Sequence, residues 1–155
     1  MKVTIICVGS IKEQYLKDAI GEYSKRISKY TTLEIIELKD ESNKNKEDIK
    51  IKQEEGNRIL QKINERDYVI CCDLNGKMLD SIELSKKISE VFTYNSSDLV
   101  FIIGGSLGIS EEVLRRADYK ICFSKMTFPH QLMRVILLEQ IYRSFKILNN
   151  ETYHK

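Results

Sequence analysis

A chain of 155 residues with 42% hydrophobic and 31% charged residues can bury a sizeable core in one domain, and its composition excludes a disordered or fibrous protein. Lys and Arg number 25 against 23 Asp and Glu, so a formal charge of +2 assigns no nucleic-acid partner by itself. The charge is unevenly spread: residues 119–155 hold six basic and two acidic side chains, a local +4, which leaves the rest at −2.

The first element is an apolar run at residues 3–8, broken only by Thr4. It is shorter than the core of a secretion signal or a membrane span, so a cytoplasmic protein is expected. A helical pattern follows at 13–30, then a strand at 33–38, a helix at 46–63, a strand at 68–72 and a helix at 82–94. The alternation continues with a strand at 99–103, a short helix at 111–116, a strand at 119–123 and a long final helix at 130–148. Short β-branched runs separated by amphipathic helices predict an α/β fold of about five mainly parallel strands with flanking helices. No repeat or linker divides it, so residues 1–155 read as a single domain.

Within this order, Asp80 and Glu83 have the spacing of a helix-capping box, and Asn75-Gly76 marks a turn, which predicts a loop at 73–77. The charged stretch 39–55 reads as a solvated loop and outer helix face. Gly56 costs its helix about 1 kcal/mol relative to Ala, so it marks either a close packing contact or a tolerated surface glycine. In the final helix, Leu132, Met133, Val135, Ile136, Leu137, Leu138, Ile141, Tyr142, Phe145, Ile147 and Leu148 cover roughly three-quarters of the circumference. One sheet face cannot bury all of that, and a second copy of the chain, in a homodimer, is the expected cover. The polar strip of the same helix carries Glu139 and Arg143, an i,i+4 ion pair.

Cys7, Cys71, Cys72 and Cys122 all lie in apolar runs without paired two-residue spacing, and only two histidines accompany them. They read as core thiols, and no metal site is expected. Loops at 73–77, 104–108 and 124–129 follow the carboxyl ends of the last three strands, where open α/β sheets bind ligands, so they are candidates for one shared pocket. The glycine loop lacks the dinucleotide spacing, and nothing matches a P-loop. In the third loop Phe123, Met126 and Phe128 alternate with Ser124, Lys125 and Thr127, apolar walls and polar groups that suit a flat, neutral ring. His130, beside Pro129, is expected to make a structural hydrogen bond, and His154 lies in a tail expected to fray. Neither has an identifiable Ser or Cys partner for a catalytic triad. These features leave open a non-catalytic RNA- or ribosome-binding module, and a flavodoxin-like enzyme with its phosphate site at Gly9-Ser10.

Five stretches carry a resemblance: Ile103-Gly104-Gly105 with Gly108, the run from Phe123 through His130, Arg134-Val135, Glu139-Gln140-Ile141-Tyr142-Arg143, and the closing Tyr153-His154-Lys155. Together with Val8-Gly9 and the 73–77 segment they resemble the RlmH (YbeA-like) group of SPOUT-class methyltransferases along the whole chain. The resemblance implies a C-terminal trefoil knot, a homodimer and S-adenosyl-L-methionine as methyl donor. The implied reaction is methylation of N3 of a pseudouridine in 23S ribosomal RNA on assembled ribosomes, with another RNA as the alternative substrate. Carried over by position, cofactor contacts fall at Cys72, Gly104, Phe123, Ser124, Lys125, Met126, Thr127 and Phe128. Removing the N3 proton calls for a base or a cationic group, and the candidates lie in the tail, expected to close over the cofactor of the other subunit: His154 as base, Arg143 or Lys155 as electrostatic helper, and Tyr153 as a stacking or hydrogen-bonding partner of the nucleobase. The chain departs from the group at Cys72, commonly Leu, and at Leu107, commonly a polar Asn or Glu.

Overall fold

The computed structural model describes residues 1–41 and 45–155. Its strands are β1 (Lys2–Val8), β2 (Thr32–Leu38), β3 (Tyr68–Met78), β4 (Asp98–Ile103) and β5 (Tyr119–Cys122). They form one sheet in the order β2-β1-β4-β3-β5, and every pairing is parallel. The helices are α1 (Gln14–Ile27), α2 (Asp48–Leu60), α3 (Ser81–Glu90), α4 (Glu111–Arg116) and α5 (His130–Leu148).

The central strands are covered on both faces, which is why β1, apart from Thr4, and β4 read as continuous apolar runs and not as alternating ones. Ile5, Phe101 and Ile70 point to one face and pack with Ile27 of α1, Ile88 of α3 and Leu137 and Ile141 of α5. Ile6, Val100 and Ile102 point to the other, against Ile59 of α2 and Val113 of α4. The period-two alternation of a strand thus sorts one continuous run into two cores. Cys7, Cys71 and Cys122 are buried and Cys72 half-buried, all as free thiols. Burial pushes the Cys7 thiol up to about 11 and the Cys71 thiol to about 12.

Asp80 caps α3 as expected: its carboxylate accepts the Glu83 N–H at 2.7 Å, and the Glu83 side chain accepts the Asp80 N–H at 2.8 Å. The chain leaves α3 through a π-helical turn, Val91–Asn95, whose last bond runs from the Ser96 N–H to the Val91 carbonyl. Two expectations are corrected. The segment 73–77 is not a simple loop, because β3 runs on to Met78 with a register shift between Cys72 and Lys77 and then pairs with β5 again. The edge offered by β5 overrides the local turn preference of Asn75-Gly76, and the missing side chain of Gly76 makes room, since a Cβ there would stand 2.6 Å from the Ile121 backbone.

Nor is the charged stretch 39–55 wholly solvated. Its Ser42, Asn43 and Lys44 lie outside the described residues, but Glu41 is fully buried in an ion pair with Arg58, and Glu55 is only 3% exposed. Burial, followed by the nearby charge of Asp40, holds the Glu55 carboxyl above its usual range. The cause is close packing at Gly56, where an added Cβ would overlap the Ser110 hydroxyl and stand 2.9 Å from Ser110 Cβ. That hydroxyl accepts the Val113 N–H and caps α4, so α2 meets the start of α4 almost backbone to side chain.

Gly56→Ala is therefore expected to destabilise the protein by about 1–3 kcal/mol, as overpacking does, instead of gaining the ~1 kcal/mol of a solvated helical site. Urea unfolding distinguishes the two, and a raised midpoint would contradict the packing.

Candidate functional site

A cavity of about 720 Å³ opens at the carboxyl ends of β3, β4 and β5, within the usual range for small-molecule sites. Ile103, Ile109, Ile121 and Met133 line it with apolar side chains, and Phe123, Met126 and Phe128 stand along the loop after β5. Asp73, Ser106, Ser124 and Thr127 add polar groups, and among the described residues Asp73 is the only lining side chain with a formal charge.

The glycine loop is shaped by contact. A Cβ at Gly104 would stand 2.8 Å from Ile109 Cγ1 and 3.0 Å from the Gly108 carbonyl. Gly108 has φ +87°, the left-handed region open to glycine, and its N–H donates to the Gly105 carbonyl at 3.0 Å. Behind this loop, the buried Glu55 carboxylate lies 3.1 Å from where a Gly105 Cβ would be. The loop after β5 holds itself: the Cys122 thiol donates to the Ser124 carbonyl, and the Ser124 hydroxyl accepts the Met126 N–H.

Of the expected cofactor positions, Cys72, Gly104, Phe123, Ser124, Met126, Thr127 and Phe128 all line the cavity. Lys125 does not; it is exposed. Burial raises the Cys72 thiol well above its ordinary value, so it offers the cavity a neutral surface. Leu107 also lines it with an apolar side chain.

His130 is a cavity residue, which its position beside Pro129 did not reveal. The structural hydrogen bond expected of it is absent: among the described residues its ring has no hydrogen-bond partner. Its Nε2 lies 3.9 Å from where a Gly9 Cβ would stand, and Gly9 itself has φ +94°. One turn along α5, Arg134 is 1% exposed and clamps this region. Its guanidinium donates to the Gly9 carbonyl at 2.7 Å and to Glu37 at 2.6 Å, and the same Glu37 oxygen accepts the Ile11 N–H at 3.0 Å.

The tail does not fray. The chain turns at Asn150 (φ +54°) and folds back on α5. Glu151 accepts from Lys146 at 2.6 Å and from the Tyr30 hydroxyl at 2.8 Å, while Tyr30 stacks on Phe145 with ring centroids 5.6 Å apart. Beyond this anchor, Glu139 pairs with Arg143 at 2.8 Å and accepts the Tyr153 hydroxyl at 3.0 Å. The Arg143 guanidinium lies over the Tyr153 ring at 4.6 Å and meets His154 Nδ1 at 3.2 Å. The hydrogen bond with Glu139 holds Arg143 above its already high value. Lys155, the last residue, is exposed.

The structure thus gathers Arg143, Tyr153 and His154 into one cluster with Glu139, but not with the cavity of the same chain. His130 and Arg143 are separated along α5 by about 20 Å, at 1.5 Å per residue. Much of the apolar surface of α5 is covered within the chain, with Leu137, Leu138, Ile141 and Phe145 buried. Met126 and Leu74 of the cavity lining remain exposed, as do Leu132 of α5 and Met78 at the end of β3. Among the described residues no helix is long and apolar enough to cross a membrane, and no group of three or more His, Cys, Asp or Glu is placed to hold a metal ion.

A family described as "Predicted SPOUT methyltransferase" matches residues 1–154. Among curated proteins, Ribosomal RNA large subunit methyltransferase H of Clostridium botulinum (strain Alaska E43 / Type E3) is 58% identical over 100% of both chains. Its counterpart in Clostridium novyi (strain NT) is 57% identical, and Ribosomal RNA large subunit methyltransferase H 1 of Clostridium perfringens (strain SM101 / Type A) is 55% identical, both again over the full length of both chains.

The tail anchor is pH-dependent. Hydrogen bonds from Lys146 and then Tyr30 hold the Glu151 carboxyl below its usual range. A group depressed in the folded state stabilises above its unfolded value, about 4.3, and its contribution is lost as pH falls through the lowered folded value. Protection of the Asn149, Asn150 and Glu151 amides, referred to the intrinsic exchange rate at each pH, should accordingly fall below about pH 4. Glu151→Gln should show the lower protection already at neutral pH, and a tail equally protected at pH 3 and in that variant would rule the anchor out.

Proposed function

The chain belongs to the SPOUT methyltransferase family, and from that premise we propose that it methylates large-subunit ribosomal RNA with S-adenosyl-L-methionine held in the cavity beyond β3, β4 and β5. The observation that carries this reading is the cavity itself, lined by the middle of β3, by the loops after β4 and β5, and by seven of the eight cofactor positions that the resemblance implies. The donor set fits. Apolar walls with interleaved hydroxyls suit a purine ring, and a lining whose only formal charge, among the described residues, is the Asp73 carboxylate suits a ligand that carries a cationic sulfur.

The donor, when bound, supplies a methyl group on a positively charged sulfur. The protein's part is to fix geometry and handle charge, and orientation of two reactants alone is worth on the order of 7–11 kcal/mol. Gly104 and Gly108 bring backbone close to the ligand, and the apolar rim excludes water. The acceptor in this reading is N3 of a pseudouridine in 23S ribosomal RNA within assembled ribosomes, and its proton must leave as the new bond forms. Arg143 and Lys155 stabilise the negative charge that develops on the ring, Tyr153 packs against it, and His154 completes the tail.

Arg143 stands about 15 Å along α5 from Met133, the last cavity residue on that helix, and none of the tail cluster lines the cavity of its own chain, which favours a homodimer in which the tail of a second copy supplies these groups. The exposed Leu74 and Met126 of the cavity lining, and Leu132 beside its Met133, are the kind of apolar surface such a contact would cover. The reading also carries a single cytoplasmic domain over residues 1–155 with a C-terminal trefoil knot, and no resident metal.

Two variants separate the parts of the site. Gly104→Val should lose S-adenosyl-L-methionine binding in calorimetry, because a side chain there collides with Ile109 and the Gly108 backbone. A chain ending at Glu151 should bind the donor normally yet fail to methylate ribosomes. Normal donor affinity in the first variant would displace the cofactor site, and full methylation by the second would dismiss the tail.

A further inference from the structure

We propose that His130, and not His154, takes the proton from the ring nitrogen that is methylated, while His154 serves the same site as a hydrogen-bond donor through Nε2–H. The proposal rests on the methyltransferase reading above.

The chain has only two histidines, and their surroundings differ in kind. His154 Nδ1 lies 3.2 Å from Arg143 Nη1. A guanidinium has donors and no acceptor, so Nδ1 must be the acceptor, with its lone pair turned to Arg143. A neutral imidazole engaged at Nδ1 carries its hydrogen on Nε2, and the nitrogen left facing outward is then a donor. Arg143 is itself fixed, through Glu139, so this tautomer is built into the tail. Such a ring can bind a carbonyl oxygen or a developing ring anion, but it presents no basic nitrogen.

His130 has the complementary properties. It lines the donor cavity, and among the described residues neither ring nitrogen has a hydrogen-bond partner. Its neighbour is the Gly9 backbone, and Arg134, one turn along the same helix, holds the Gly9 carbonyl at 2.7 Å. The ring therefore stands against a fixed wall with a free lone pair. The other titratable side chains around that cavity are poorer bases. Asp73 is a carboxylate, less matched to proton transfer at neutral pH than an imidazole; Cys72 is a neutral thiol; and the Cys122 thiol donates to the Ser124 carbonyl. The Arg134 charge is turned to Glu37. Glu139, facing the incoming base from the tail, is occupied by Arg143 and Tyr153.

In the step itself a His130 ring nitrogen accepts the proton of N3–H and becomes imidazolium. The electron pair left on N3 forms the bond to the methyl carbon as the carbon–sulfur bond breaks and its pair returns to sulfur. His130 passes the proton to water as the methylated RNA leaves.

The test follows single-turnover methylation of ribosomes against pH, with donor affinity measured by calorimetry. His130→Gln is expected to slow the reaction about 10²–10⁴-fold, to abolish the fall in rate on the acid side, and to bind S-adenosyl-L-methionine within twofold of the wild type. In His130→Ala, added imidazole should restore part of the rate. His154→Gln, which keeps an amide donor near the Nε2 position, is slower but retains the acid-side fall. Nitrogen NMR of the protein alone should show His154 as the Nε2–H tautomer. The proposal is overturned if the acid-side fall persists in His130→Gln or disappears in His154→Gln, if donor binding is lost with His130, or if His154 carries its hydrogen on Nδ1. Absence of ribosomal RNA methylation by the wild type would instead remove the functional reading, and the proposal with it.

Discussion

Much of this molecule hangs on one buried guanidinium. Arg134 sits in the first third of α5 with almost no exposure, and it holds the Gly9 carbonyl on one side and Glu37 on the other. Glu37 belongs to β2 and Gly9 follows β1, so a single side chain ties the longest helix to the two strands at one side of the sheet. A buried ion pair contributes little net stability, because desolvation offsets most of the attraction. What it does impose is register. Sliding α5 by one turn would strand a charge in the core, and breaking such a pair from one side typically costs about 3–5 kcal/mol. With that register set, His130 faces the cavity at one end, and the Glu139–Arg143 pair receives the tail at the other.

How far the sequence discloses this differs element by element. β1 and β4 were legible because burial on both faces leaves a nearly continuous apolar run, and α3 because its capping box is a local device complete within four residues. β3 beyond Cys72 was not, because Asn75-Gly76 states a turn preference that only the neighbouring edge of β5 overrides. The cavity was largely legible: the loops after β4 and β5 converge with the middle of β3 where the rule for open sheets places a pocket. The remaining members of the candidate site were not. Glu55 is hidden in a charged run and Arg134 in an apolar helix, and both are buried by contacts 50 or more positions away along the chain. A possible signal existed for Arg134, since a lone charge on the core-facing side of an amphipathic helix requires a partner.

The basic C-terminal segment also reads differently once its partners are known. Arg134, Arg143 and Lys146 are each spent on an internal carboxylate, which leaves Lys120, Lys125 and Lys155 exposed. The segment's charge is therefore more architectural than the local +4 suggests, and the electrostatic pull it can exert on a phosphate backbone is modest. For the proposed RNA substrate, that places the burden of recognition on shape and on the ribosome around the target.

The length of α5 has a last consequence. A helix of 19 residues is a rigid rod of about 28 Å, with the candidate cavity at one end and the tail cluster near the other. In the proposed dimer each active centre draws on both chains, so catalytic capacity follows mass action: dilution below the dissociation constant would silence the enzyme without unfolding it. The same arrangement makes the two halves separable by genetics. A subunit with a ruined cavity and a subunit without a tail, each inert alone, would between them rebuild one working centre, and a defective copy would silence only half of what it joins.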